Sequence, residues 1–370
     1  MQKWIIGAVV LVVVVGGVWL GTRQKQATGN PIKLGASISL TGVASAFGEM
    51  SKDGIELAVK EINANGGVDG RPVEVVIEDD QTDGAKAVGV YQKLTSVDHV
   101  DAIVGTNFDF VAKALFDVAK GGNTVIATPS TPRVGSYYGE NGNAFFMMAN
   151  LDEIVDNFRS YLATQTYHQI AIVRFESAFG EVFAGQLSKI ATDSGHPAII
   201  NETYKQFGLS DFRTTILRLK NAGADLVFLD MIGSDPVTFV TQANQLGFHP
   251  HYLTHNGLNT TLAIRGVDPN LFNGIVDLDW NVSTPQFVEA FTKAYGIAPT
   301  NSANRAYEAV YVLADAVAHA QSRVGIPDYI ARTTFKTPYS TVSFAPDHSA
   351  AHTAIVLLQM KDGKLVPLPQ

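Results

Sequence analysis

Residues 31–83 read PIKLGASISLTGVASAFGEMSKDGIELAVKEINANGGVDGRPVEVVIEDDQTD, and this stretch decides the fold. Ile32, Leu34, Ala36, Ile38 and Leu40 alternate along the chain as one face of a strand does. Ile55, Ala58, Val59 and Ile62 then fall on one face at helical spacing. Asn65-Gly66-Gly67 stops that helix, because glycine takes the positive φ of a helix end without a Cβ clash. Arg71-Pro72 turns the chain into a second strand, Val73 to Glu78, and Asp83 is placed to cap a helix running to about Leu94. A strand, a helix and a strand in this order pair in parallel through a right-handed crossover.

The same rhythm continues outward. Ala102–Val104 and Thr124–Ala127 read as strands around a helix through Val111, Leu115 and Val118. After Phe145-Phe146-Met147-Met148 it restarts. Helices are expected at 152–163, 182–191, 211–220, 236–246, 286–295 and 303–320. Strands are expected at 170–174, near Ile199, at 226–229 and at 252–255. Two consecutive blocks of alternating strands and helices imply an α/β protein with two doubly wound parallel-sheet lobes. In such sheets ligands bind beyond the carboxyl ends of the strands. The loops to watch are therefore 40–48, 105–110, 128–133, 175–180, 230–235 and 255–259.

Ahead of this lies Lys3 and an apolar run from Trp4 to Leu20. Its length at 1.5 Å per residue is about 25 Å, the short end of a membrane span. No small-residue cleavage site follows, so an N-terminal transmembrane signal anchor is favoured over a cleaved signal helix, with both open. The flanking charges do not settle orientation, with Lys3 and the amino terminus on one side and Arg23 and Lys25 on the other. Residues 24–31 (QKQATGNP) form a polar tether.

The formal charge is −8 and no basic cluster occurs, which argues against nucleic acid. There are no cysteines, so disulfides, thiolate metal sites, a Cys nucleophile and a lipidated Cys are excluded. Phosphate-binding, nucleophile-elbow and zinc-protease motifs are absent, and an enzyme is not expected. Asp79, Gln81, Asp83 and Gly84 mimic the start of a calcium loop, but the twelfth position is Val90 rather than Glu. The plain reading is a strand end, with Glu78, Asp79 and Asp80 charged, running into a helix cap. His249, His251 and His255 lack a companion carboxylate and read as solvated loop histidines. Neither a metal nor a cofactor is expected.

GASISLTGVASAFG from Gly35, DGIELAVKEINANGGVDGRPVEVVIEDDQTD from Asp53, IVGTN from Ile103, TPSTP from Thr128, IAIVRFESAFGEVFAG from Ile170 and DFRTTILRLKNAGADLVFL from Asp211 are the most specific segments. Together they resemble the periplasmic leucine/isoleucine/valine-binding proteins, the type I solute-binding proteins of ABC importers. The resemblance covers about residues 32–365. It implies two lobes joined by a three-crossing hinge, with residues 1–30 as anchor and tether. Lobe one would be 31–150 plus 281–340, and lobe two 151–280 plus 341–370. It implies an extracytoplasmic receptor that closes on a small amino-acid-like or related polar ligand and delivers it to an ABC permease and its ATPase. The membrane would be contacted through the N-terminal helix. An alternative is a ligand-sensing ectodomain signalling to a partner membrane protein.

Carried over by position, the resemblance implies ligand-binding roles for Phe47, Asn107, Asp109, Ser130, Thr131, Phe179, Ile232 and Asn256. Several depart from the family pattern. Asp109 stands at the helix start where Ser is usual, and Asn256 where an acid meets the ligand's ammonium. Pro132 replaces a Thr, Phe47 and Phe179 lack the hydroxyl of Tyr, and Ile232 and Ser302 replace aromatics. An ionised Asp109 disfavours a ligand carboxylate and suits a donating or cationic group. Two plainer readings stand beside these: Asp109 capping its own helix, and Phe47 and Phe179 as core.

Overall fold

The computed structural model describes residues 27–130, 142–255, 258–262, 264–279, 283–351 and 355–368. The apolar run 4–20, Thr131 and Asn256 lie outside the described residues.

The first block gives β1 (Ile32–Ile38), α1 (Ser45–Ala64), β2 (Val73–Asp79), α2 (Gly84–Ser96), β3 (Ala102–Val104), α3 (Asp109–Ala119), β4 (Val125–Thr128) and β5 (Ala144–Phe146). Its sheet has the order β2-β1-β3-β4-β5, all parallel. The order reverses at β1, so the loops after β1 and β3 open on opposite sides of a crevice.

The second block gives α4 (Leu151–Ala163), β6 (Ile170–Phe175), α5 (Ala178–Asp193), β7 (Ile200–Tyr204), α6 (Arg213–Asn221), β8 (Leu226–Asp230), α7 (Asp235–Gln245), β9 (His251–His255), α8 (Leu258–Leu262) and β10 (Val276–Asp279). The chain continues through α9 (Pro285–Tyr295), α10 (Asn301–His319), α11 (Ile326–Arg332), β11 (Phe335–Lys336), β12 (Thr341–Val342), β13 (Val356–Lys361) and β14 (Lys364–Pro367). The second sheet has the order β14-β13-β10-β9-β8-β6-β7. It is parallel from β10 to β7, with β13 and β14 added antiparallel at one edge.

Burial explains the sequence pattern. Ile32, Leu34, Ala36 and Ile38 are fully buried in β1 because helices cover both sheet faces. Phe287, Phe291 and Tyr307 of α9 and α10 pack into the same core as β1, although they follow the second block. The chain thus passes between the two sheets three times: from β5 to α4, from β10 to α9, and from β12 to β13. At the crossings, Ala350 N–H donates to the Met148 carbonyl at 3.1 Å and Phe146 N–H to the His348 carbonyl at 2.9 Å. The His348 ring stacks on Phe145 with centroids 4.3 Å apart. Two crossings are therefore stitched to each other rather than running independently.

The described elements follow the expected rhythm through residue 320, with α5 starting four residues earlier than read. Asp83 caps α2 as expected, accepting the Lys86 N–H at 2.9 Å. The sequence reading did not resolve β5, α8, β10, α11 or the four C-terminal strands.

Candidate functional site

The carboxyl ends of β1, β3 and β4 form a buried row of hydroxyls in the first sheet. Ser37, Ser39, Thr106, Thr128 and Ser130 are each at most 3% exposed. The Thr128 hydroxyl donates to the Thr106 carbonyl and lies 3.3 Å from the Ser130 Oγ. Ser130 is thus buried just beyond the carboxyl end of β4, beside Thr128.

Asn107 follows β3, and both ends of its amide are engaged. Its Oδ1 accepts from the Ser51 Oγ at 2.9 Å, and its Nδ2 donates to the Ser302 Oγ at 2.7 Å. Asn107 thus ties α1 and the start of α10 to the loop that leads into α3. Phe108 occupies the N-cap position of α3 with an extended backbone, so Asp109 is the first helical residue rather than the cap. A negative charge at that place is favoured by the helix dipole. Phe47, at 6% exposure, meets the Phe108 ring edge-to-face with centroids 5.1 Å apart.

In lobe two, Ser177 caps α5 by accepting the Gly180 N–H at 2.9 Å. Phe179 follows in the first turn, partly buried, stacked on Phe183 at 5.8 Å and tilted against His255 at 5.6 Å. Ile232 lies partly buried in the loop after β8. A side chain on its neighbour Gly233 would come within 3.8 Å of the Val43 carbonyl, so the first loop of lobe one meets this loop of lobe two. Helices α3 and α5 also approach each other across the cleft. Phe47 and Phe108, Val43 and Gly233, and helices α3 and α5 are thus neighbours in the structure.

Two pairings were not read from the sequence. The first is Asp230 with His255. The His255 Nε2 lies 3.0 Å from Asp230 Oδ1, and both side chains are 12% exposed. Phe183 and Phe228 pack against the imidazole at 4.8 and 5.7 Å. His249 and His251 are exposed, as read, but His255 is a packed residue with an acid partner and departs from the solvated reading. The second is Asp277 and Asp279, two residues apart on β10 and both buried. Thr254 Oγ1 donates to Asp277 Oδ1 at 2.7 Å, and Asn259 Nδ2 to Asp279 Oδ2 at 2.9 Å. Burial, with the Asp279 charge adding to it, pushes the Asp277 carboxyl well above the usual range. The signal was present: polar residues alternating in the buried strand VDLD imply partners. Among the described residues, no cluster of three or more His, Cys, Asp or Glu could hold a metal ion.

A family model described as periplasmic binding protein matches residues 31–364. Among curated relatives, Leu/Ile/Val-binding protein homolog 7 of Brucella suis is 28% identical over 306 residues, covering 72% of each chain. Homolog 8 of Brucella melitensis is 26% identical over 382 residues, covering 95% of this chain and 93% of the relative. The branched-chain amino acid transporter substrate-binding protein LivJ of Streptococcus pneumoniae, solved with isoleucine, superposes with a TM-score of 0.78 at 22% identity, over 91% of this chain and 98% of its own. A solute-binding protein of R. palustris, solved with benzoate, superposes with a TM-score of 0.78 at 20% identity, over 92% and 96%. The family consists of solute-binding proteins rather than enzymes, and they act outside the cytoplasm.

Proposed function

The chain belongs to the periplasmic binding protein family, with the leucine/isoleucine/valine-binding proteins it resembles, and from this we propose that it is the receptor of an ABC-type importer. It closes its two lobes on a small polar ligand with an apolar body and hands that ligand to a membrane permease driven by its ATPase. Lobe one is 31–150 plus 281–342, so that β12 stays with its partner β11, and lobe two is 151–280 plus 343–370. The run Trp4–Leu20 holds the receptor at the outer face of the membrane. Among the described residues no helix is long and apolar enough to cross a membrane.

The observation that carries the reading is the meeting of the first loop of lobe one with the β8 loop of lobe two beside Ile232. Phe47 and Phe179 supply apolar walls, and Ser130 with Thr131 supplies hydrogen-bonding hydroxyls. Asp109 and Asn256 set the polarity of the ends. Asn107 supports this surface from behind. The structural neighbours solved with isoleucine and with benzoate hold small molecules with an apolar body and a polar end, as this reading expects here.

A thermal-shift screen of the full chain against amino acids, amides, polyamines, aromatic acids and nucleosides tests the proposal. Ligand at a hundredfold its Kd adds about 2.7 kcal/mol of stability. A hit that Ile232→Asp and Phe179→Asp both abolish supports the cleft. A hit that neither substitution weakens places the ligand elsewhere and sinks it.

A further inference from the structure

The turn EDDQTD at 78–83, set aside above as a calcium mimic, is bonded to the first cleft loop through Asp79, Asp80 and Thr82. Asp79 Oδ1 accepts three backbone N–H groups, from Leu40 at 3.0 Å, Thr41 at 3.1 Å and Gln81 at 2.8 Å. Its Oδ2 accepts the Thr41 hydroxyl at 2.6 Å. Asp80, fully buried, accepts the Ser39 Oγ at 2.6 Å, the Ser37 Oγ at 3.3 Å and the Thr82 N–H at 3.0 Å. Thr82 donates its hydroxyl to the Thr41 carbonyl at 3.1 Å and accepts the Ala44 N–H at 3.3 Å.

Gln81 and Thr82 hold φ of 57° and 58°, a region that residues with a Cβ rarely adopt. Strain of this kind persists only where surrounding contacts impose it, and it gathers at functional sites. Here the contacts are those to residues 38–44. On the loop's side, a Cβ on Gly42 would lie 2.5 Å from the Gln81 carbonyl oxygen, and one on Gly48 would lie 2.0 Å from the Ser39 carbonyl oxygen. The loop is thus gripped by the turn at one end and by the first turn of α1 at the other. Phe47, which packs on Phe108 at the start of α3, is the residue this grip places.

We infer that Asp79, Asp80 and Thr82 are positioning residues for the ligand site: they preset the loop 39–47 so that Phe47 is in place before any ligand arrives. The inference rests on the reading of Phe47 as a ligand-facing residue. The two acids respond differently to their surroundings. Burial pushes the Asp80 carboxyl up. Burial also acts on Asp79, but the hydrogen bonds from Thr41, Gln81 and Leu40 together outweigh it and hold that carboxyl below its ordinary value. Asp79 is therefore the ionised anchor.

Hydrogen exchange read by mass spectrometry on the full chain, with no ligand added, tests this directly. Asp79→Ala removes all four acceptor contacts. Asp79→Asn keeps an oxygen where three N–H groups converge and can donate to the Thr41 hydroxyl. In Asp79→Ala the amides of 39–47 should exchange at least about tenfold faster, while β3 and lobe two keep wild-type rates. Asp79→Asn should restore protection to within about threefold of wild type. Wild-type protection of 39–47 in Asp79→Ala overturns the inference, as does acceleration spread evenly over lobe one or an Asn variant as loose as the Ala variant. Should Asp79→Ala fail to fold, the near-isosteric Thr82→Val removes two loop contacts and is judged by the same pattern. No ligand enters the measurement, so a loosened loop beside undiminished binding of a screen hit would fault the placement of the ligand at Phe47 and leave the positioning itself standing.

Discussion

Asp235, the first residue of α7, has no exposed surface. Its Oδ1 accepts the Leu209 N–H at 3.0 Å, and the buried Tyr204 side chain also bonds its carboxylate. Burial is the dominant influence and pushes its carboxyl from 3.8 up to about 6, against the opposing hydrogen bonds. Between these values the unfolded chain has released the proton and the folded chain still holds it. The folded state therefore binds more protons, and stability falls as pH rises from about 4 to about 6, then levels off. The interval from 3.8 to about 6 corresponds to about 3 kcal/mol, at 1.36 kcal/mol per tenfold change in proton affinity. Asp235→Asn keeps an acceptor for Leu209 and cannot ionise. Urea denaturation of wild type and variant at several pH values from 4 to 8 isolates this group, because the other acids cancel in the difference. The variant should match wild type near pH 4 and exceed it by up to about 3 kcal/mol at pH 7. A difference that stays constant across this range would refute the assignment.

Two further outcomes follow from packing. Arg305 and Glu308 form a buried pair at 2.7 Å on α10, with Ser340 donating to the second Glu308 oxygen at 2.6 Å. Arg305→Met leaves that carboxylate buried without its cation and should cost about 3–5 kcal/mol in urea denaturation, most of it recovered by adding Glu308→Leu. Phe158 has no exposed surface and packs edge-to-face on Phe228 at 5.3 Å, so Phe158→Ala should cost about 3–5 kcal/mol, read by the same assay.

The fold was legible wherever an element was long enough to show its period. Helices α1 and α10 span 20 and 19 residues, and their buried faces repeat several times. β11 and β12 have two residues each and α8 has five, too few for any periodicity to emerge. β10 escaped because Asp277 and Asp279 make VDLD look like a turn, and only the long-range donors Thr254 and Asn259 make acids tolerable there. The strand-to-helix loops nominated for the site were legible from the alternation of elements. Pairings across them were not: Asp230 and His255 are 25 residues apart and come together only because β8 and β9 are neighbours in the sheet. The same holds for the grip of Asp79 on Leu40 and Thr41, which no local spacing announces.

These pairings bear on the charge of the ligand. Of the described acids at the cleft edges, Asp79 and Asp80 already take donors from the first loop, Asp230 faces His255, and Asp279 accepts from Asn259. Asp277 is buried with its carboxyl pushed toward the protonated form. A carboxylate has about four acceptor sites, so these donors occupy part of each group and fix its orientation. On the proposed placement of the ligand, Asp109 at the head of α3 is the acid whose charge the ligand would meet. An ionised carboxylate about 4 Å from a ligand charge contributes about 4 kcal/mol at an effective dielectric of 20, roughly a thousandfold in affinity. Asp109→Ser should therefore weaken a cationic or donor-rich ligand by up to about that factor and strengthen a carboxylate ligand by a similar one. Titration calorimetry on the hit from the thermal screen reads the sign, and the sign reports the ligand's charge at that end. An affinity unchanged by Asp109→Ser would show that this carboxylate does not face the ligand, and the charge argument would fall with it.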